Sequence, residues 1–251
     1  MIKTSRLLEI FNLPNIEELW DFHTRQMADF GFERILYGYT RYRTATSLGD
    51  PNDFVLLTNH DKSYTDVFIG DGLYFHAPMV RWSLENEGAC SWSVLADMSQ
   101  TGTLTDAERK VFEFNRSKDV VAGYSISFKS VSPRTKGAIA LTARKGMSQQ
   151  DADAIWQEHG EDIIALNTIV HLRILTLPYV APGRALTRRQ REVLVWVGDG
   201  KTIQDIALLL SLTPATIEKH LRLAREALSV ETTAQAVLKA AFQNQMFVLD
   251  A

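Results

Sequence analysis

Apolar and polar positions along the first 177 residues follow two different periods, and the changes of period mark the elements. Ile16, Leu19, Trp20, His23, Met27 and Phe30 recur at helical spacing between Asn15, a candidate N-cap, and Gly31, a candidate stop, which predicts a helix over 15–31. Strand formers then dominate 35–42 and 54–58. Short helices are expected over 61–70 and 78–86, around a stretch rich in Gly, Pro and aromatic residues. Cap-like residues at 103–108 open a further helix reaching about Ala122. Two more strands follow at 124–129 and 138–143, with residues 132–137 as the hairpin loop between them. A long amphipathic helix over 148–177 closes this part, which is therefore expected to be an antiparallel sheet with helices on its faces.

Pro178 to Gly183 holds two prolines and a glycine and reads as a linker between a regulatory domain over 1–177 and a second domain over 184–251. Beyond it the pattern is wholly helical. Thr187 with Gln190, and Thr202 with Asp205, have the spacing of capping boxes, and Thr213-Pro214 places an N-cap before a proline at the first helical position. A helix, a short turn and a second helix of these lengths form a helix-turn-helix unit. On the 214–228 helix, Ile217, Leu221, Ala224 and Leu228 share one face, while Ala215, Glu218, Lys219, Arg222 and Arg225 share the other. Arginine can bridge two acceptors on guanine, glutamate can accept from cytosine, and lysine neutralises phosphate, so the second face suits a major groove.

Composition narrows the function classes. The net charge is −3 over the chain, but residues 184–251 hold nine Lys and Arg against seven Asp and Glu, so the basic excess lies where the DNA-reading helix is expected. The six histidines are scattered and none pairs with the single Cys90 or a carboxylate at a metal-ligand spacing. With no glycine-rich phosphate loop either, no enzyme activity and no cofactor are expected. No apolar run is long enough to span a membrane and none follows a basic start, which with the lone cysteine points to a cytoplasmic protein.

The motif Leu186-Thr187, Arg191-Glu192-Val193-Leu194, Trp196, Gly200-Lys201-Thr202, Ile206-Ala207, Thr216-Ile217, His220, Leu228, Val230 and Ala236-Val237 resembles the LuxR-type helix-turn-helix in register. Asn59, Pro78, Trp92, Gly123 and Gly137 in turn resemble the autoinducer-binding domain of quorum-sensing LuxR regulators. The resemblance implies an α+β fold: an N-terminal α-β-α sandwich with a ligand between sheet and helices, then a C-terminal four-helix domain. It implies a homodimer on double-stranded DNA, with RNA polymerase as a further candidate partner and no membrane association. The DNA-contacting set would be Lys201, Thr202, Thr216, Glu218, Lys219, Arg222 and Arg225. The ligand-contacting set would be His60, Tyr64, Phe68, Ala77, Trp92 and Thr142.

The pocket keeps the family's spacing with altered chemistry. The family usually reads Asn-Tyr-Pro-x-x-Trp-x-x-x-Tyr followed by Asp-Pro, and this chain reads Asn59-His60-Asp61-x-x-Tyr64-x-x-x-Phe68 followed by Ala77-Pro78. In the family the tryptophan donates to the lactone carbonyl and the aspartate accepts from the ligand's amide N–H. Tyr64 is expected to remain a donor, Trp92 to serve as an apolar wall and Thr142 to offer a hydroxyl, but Ala77 accepts nothing. Two readings stay open: a regulator that senses a small molecule other than an ordinary acyl-homoserine lactone, or a ligand-independent regulator whose first domain is a protein–protein module.

Overall fold

The computed structural model describes residues 4–44, 47–180 and 184–246. Two compact units divide the chain, Met1–Leu175 and Thr176–Ala251.

The first unit is built on an antiparallel sheet of five strands in the order β2-β1-β5-β4-β3. These are β1 (Arg34–Thr40), β2 (Val55–Thr58), β3 (Gly88–Ser91), β4 (Gly123–Ser127) and β5 (Lys136–Thr142). Thr40 pairs with Lys136 and Arg34 with Thr142, so β1 and β5 run side by side over their full length. Ahead of the sheet come α1 (Thr4–Asn12) and α2 (Ile16–Asp29), the latter capped by the Asn15 side chain on the Glu18 N–H. Between β2 and β3 lie α3 (Lys62–Thr65), a π turn (Asp66–Gly70), a 3-10 turn (Leu73–His76) and α4 (Pro78–Glu85). Between β3 and β4 lie α5 (Ser93–Gln100) and α6 (Asp106–Ser117), and α7 (Gln149–Thr176) follows β5.

Strand alternation gives the sheet two unlike faces. Ile35, Tyr37, Ile139, Leu141, Tyr124 and Ile126 point one way and are all buried. Against them pack α2 and α7: Trp156 stacks flat on Tyr124 at 3.9 Å, and Tyr37 Oη lies 2.8 Å from His171 Nδ1. His23 donates from Nε2 to Asn167 Oδ1 at 2.9 Å, and the Asn167 amide donates in turn to the Ile163 carbonyl. This face is closely packed at Gly137, where an added Cβ would lie 2.8 Å from the His171 ring. The other face is lined by Leu36, Gly38, Thr40, Ser125, Lys136, Ala138, Ala140 and Thr142, and it is covered by the elements from α3 to α6.

Some boundaries differ from those expected. The predicted 61–70 helix is α3 followed by a π turn. The helix opening at the Thr105–Glu108 capping box stops at Ser117, short of Ala122, because Asp119 takes a positive φ of 55°. Lys136 and Gly137, expected in a hairpin loop, begin β5. Strand β3 and helix α5 had no expectation attached to them.

The second unit holds α8 (Arg188–Gly198), α9 (Ile203–Leu210), α10 (Pro214–Leu228) and α11 (Thr233–Phe242). Thr187 with Gln190, Thr202 with Asp205, and Thr232 with Gln235 form complete capping boxes, and Thr213 caps α10 on the Thr216 N–H. Ser211 and Ser229 end α9 and α10 in the left-handed conformation. The core joins Leu194, Ile206, Ile217, Leu221, Leu228 and Ala240. Gln245, where the family usually has glycine, is buried and donates to Gln243 Oε1 at 2.8 Å. This unit starts ahead of the predicted linker: Asn244 donates to the Leu177 carbonyl at 3.0 Å, and the Tyr179 N–H to the Gln243 carbonyl at 3.1 Å. Residues 181–183 of that linker lie outside the described residues.

Burial depresses His23 and His171 from 6.5 to about 4, in His23 against the opposing hydrogen bond to Asn167. A histidine held neutral in the folded state binds its proton first in the unfolded chain. Stability is therefore full above pH 6.5 and falls as the pH drops toward about 4. A shift of this size corresponds to an order of 3 kcal/mol per buried group. Urea unfolding between pH 7 and pH 5 should show that fall, with a shallower slope in His23→Gln. Equal slopes for the two proteins would contradict the burial of a neutral His23.

Candidate functional site: a sheet-to-helix cavity and an exposed helix face

Small residues open the cavity. Gly38, Ala138, Ala140 and Ser125 make the middle of its floor, and a Cβ on Gly38 would meet nothing within 4 Å. The void left between this floor and the covering helices is about 370 Å³, within the range of small-molecule sites. Arg81 of α4 and Glu108 of α6 are joined across the cover by an ion pair of 2.5 Å.

All six residues expected to contact a ligand line this cavity. His60, Tyr64 and Phe68 form a stacked column, with ring centroids 4.4 Å and 5.1 Å apart. Burial, with help from the nearby Arg34 charge, lowers His60 to about 4, so the ring is neutral. The Tyr64 hydroxyl, expected as a ligand donor, donates to Asn115 Oδ1 at 3.0 Å. Trp92 is buried and donates from Nε1 to Ser125 Oγ at 3.0 Å, so its wall is apolar and its polar edge is already satisfied. Thr142, only 1% exposed, has a hydroxyl with no hydrogen-bond partner among the described residues. Ala77 occupies the N-cap of α4, where it supplies no side-chain cap.

Three polar contributors were not in the expected set. Tyr74 lines the cavity, and its hydroxyl is buried with no hydrogen-bond partner among the described residues. Ser125 faces the void from β4, and Lys136 lies at its edge at the start of β5. The alternation Lys136-x-Ala138-x-Ala140-x-Thr142 was the available signal, with small residues on one face and Ile139 and Leu141 on the other. Among the described residues no cluster of histidine, cysteine, aspartate and glutamate could hold a metal ion, and no helix is long and apolar enough to cross a membrane.

The second surface is α10. Ile217, Leu221, Ala224 and Leu228 are buried, and Glu218, Lys219 and Arg222 are exposed on the opposite side. Arg222 pairs with Glu226 at 2.6 Å, an exposed i,i+4 pair of the weak kind that a stronger acceptor displaces. Arg225 differs from the expected open face. It is half-buried and donates to Thr233 Oγ1 at 3.0 Å, the position where the family commonly has arginine. Lys201 and Thr202 are exposed at the start of α9, where the Thr202 hydroxyl donates to Asp205 Oδ2. Thr216, in the first turn of α10, shares a hydrogen bond with Thr213 through their hydroxyls.

Comparisons with known proteins match both parts of the chain. A family described as the autoinducer binding domain matches residues 15–174, and one described as sigma-70, region 4, matches residues 184–228. The transcriptional activator protein ExpR of Dickeya dadantii (strain 3937) is 22% identical over 68% of this chain and 70% of its own length. The transcriptional activator protein AnoR of Acinetobacter nosocomialis is 23% identical over 91% of this chain and 92% of its own. The solved structure of SdiA in complex with octanoyl-rac-glycerol shares the fold, with a TM-score of 0.52 and 16% identity over 97% of both chains. The chain is thus a transcriptional regulator rather than an enzyme, and it belongs to the LuxR family of DNA-binding regulators with an autoinducer-binding domain.

Proposed function

We propose that this regulator senses a small molecule other than an ordinary acyl-homoserine lactone, and that it binds duplex DNA as a homodimer through α10. The observation that supports sensing is the cavity itself. A void of about 370 Å³, floored by Gly38, Ala138 and Ala140, is not how a filled core is built. The altered specificity rests on Ala77 and Tyr64. An acyl-homoserine lactone would bury an amide N–H where Ala77 offers no acceptor, and the Tyr64 hydroxyl is engaged by Asn115. A buried amide left without its acceptor loses roughly 1–3 kcal/mol, or one to two decades of affinity. The SdiA neighbour, in complex with octanoyl-rac-glycerol, illustrates the same fold with a ligand that is not a lactone.

The alternative, a ligand-independent regulator whose first domain is a protein–protein module, draws support from a different surface. On α7, Leu172 is 55% exposed beside half-buried Ile169 and Leu175, which suits a face shared with a second copy of the chain. In the sensing reading, binding of a ligand would shift the population of dimers with one half-site spacing. The site of action would be the cytoplasm, where the DNA is.

On DNA, Lys219→Ala should weaken binding to all sequences alike and flatten its salt dependence. Arg222→Ala should lose roughly 1–3 kcal/mol at one base position. Titration of full-length protein with operator duplexes should give two chains per duplex. A Lys219/Arg222 double alanine variant that folds and binds DNA unchanged would remove α10 from the interface.

On the ligand, micromolar acyl-homoserine lactones should leave the thermal midpoint of the protein unchanged. Ala77→Asp should restore a shift of several degrees if the missing acceptor is the reason. A comparable shift in the unmodified protein would contradict the role assigned to Ala77.

A further inference from the structure

Resting on the sensing reading, we infer that the ligand of this cavity is a carboxylic acid with an apolar body, its carboxylate held by Lys136. Lys136 faces the void with Ala138, Ala140 and Thr142, because all four occupy the same face of β5. Its side chain is buried, with the residue 7% exposed. An ammonium carries three N–H donors, and Lys136 Nζ has one hydrogen bond, to the Asn86 carbonyl at 2.9 Å. No aspartate or glutamate lines the cavity, while Glu85 and Glu87 line a second recess that Lys136 also borders. Glu87 contributes a favourable field from nearby and Arg43 an opposing one, while burial is the largest influence and lowers the lysine from its ordinary value.

Lys136 caps the C-terminal end of α4 through the Asn86 carbonyl, and that single bond does not use all of its donors. The Asn86 carbonyl at the end of α4 already accepts from Ser127 Oγ at 2.7 Å, and the same hydroxyl reaches the Ser83 carbonyl. Lys136 also borders a second recess with Glu85, Asn86 and Glu87, and its bond to the Asn86 carbonyl uses one of three N–H donors, which leaves two for an acceptor in the cavity. A carboxylate entering the void supplies a counter-charge in a poorly hydrated site, where a charge-assisted hydrogen bond is strongest. From Lys136 the floor runs over Ala138 and Ala140 to Thr142, six positions along the strand and roughly 20 Å at ~3.4 Å per residue. That length and those small residues accommodate an extended apolar body rather than a compact one. A neutral lactone or ester offers Lys136 at most a carbonyl.

The test compares decanoate with methyl decanoate on the full-length protein by calorimetry and thermal shift. The acid should bind more tightly by roughly tenfold or more, the scale of a buried charge-assisted contact. In Lys136→Met the acid should lose that advantage while the ester binds as before, the retained ester binding showing that the domain is folded. Lys136→Arg should keep the preference for the acid. If Lys136→Met does not fold, the acid-to-ester ratio in the unmodified protein still decides the matter. Equal binding of acid and ester, or an acid preference that survives Lys136→Met, would overturn the assignment and leave the sensing reading standing. Binding of neither probe, in a protein whose stability responds to no apolar small molecule, would overturn both.

Discussion

Close packing on one face of a sheet and its absence on the other is the constraint from which the regulatory domain follows. Strands alternate their side chains, so a single run of residues in β5 must serve both faces at once. Gly137, Ile139 and Leu141 fit under α7 so tightly that a Cβ on Gly137 would meet the His171 ring at 2.8 Å. Ala138 and Ala140 face the other way and leave room. A register slip of one residue would exchange the two sets, placing large aliphatic groups in the cavity and alanines against α7. The dense face, reinforced by the Tyr124–Trp156 stack and the His23–Asn167 bond, therefore fixes the position of every cavity residue on the strand.

The void has an energetic consequence of its own. An apolar cavity forfeits dispersion contacts on its lining, and buried hydroxyls without partners lose the full value of a hydrogen bond. Thr142 and Tyr74 carry such hydroxyls, and Lys136 adds a buried charge. Strain of this kind is tolerated when binding relieves it. Ligand binding stabilises whichever state it prefers by mass action, so under the proposed sensing role a domain left incomplete in this way would respond to occupancy. The C-terminal unit contrasts with this: each of its four helices starts at a threonine N-cap, and its core is contiguous.

That contrast explains what the sequence disclosed. The helix-turn-helix was legible because its determinants lie within three or four residues of one another: Thr187 with Gln190, Thr202 with Asp205, Thr213 before Pro214. The inward stripe of α10 was legible for the same reason. Thr232 with Gln235 carries the same signature and was overlooked at the start of α11. In the first domain the long strands and α7 followed from periodicity, but β3 is four residues at a sheet edge, too short to show a period. Lys136 was misplaced because its neighbours Ser132, Pro133 and Thr135 are turn formers, and only the pairing with Thr40 pulls it into the strand. The cavity residues were named through the resemblance to the family's motif, and their hydrogen-bond states were not readable. That Tyr64 is taken by Asn115, 51 positions away, and Arg225 by Thr233 are facts of tertiary structure.

The central claim is that the space over Gly38, Ala138 and Ala140 is built for a small molecule. Native mass spectrometry of the full-length protein, gently desolvated and then denatured, addresses it most directly. The account predicts a bound species of small-molecule mass that is released on denaturation and is absent from an Ala138→Leu/Ala140→Leu variant, in which the same space is filled by side chains. A protein that carries no such species after exposure to cell extract, and that gains stability from the two leucines without losing any function, would show that the space is an unfilled core and would contradict the claim.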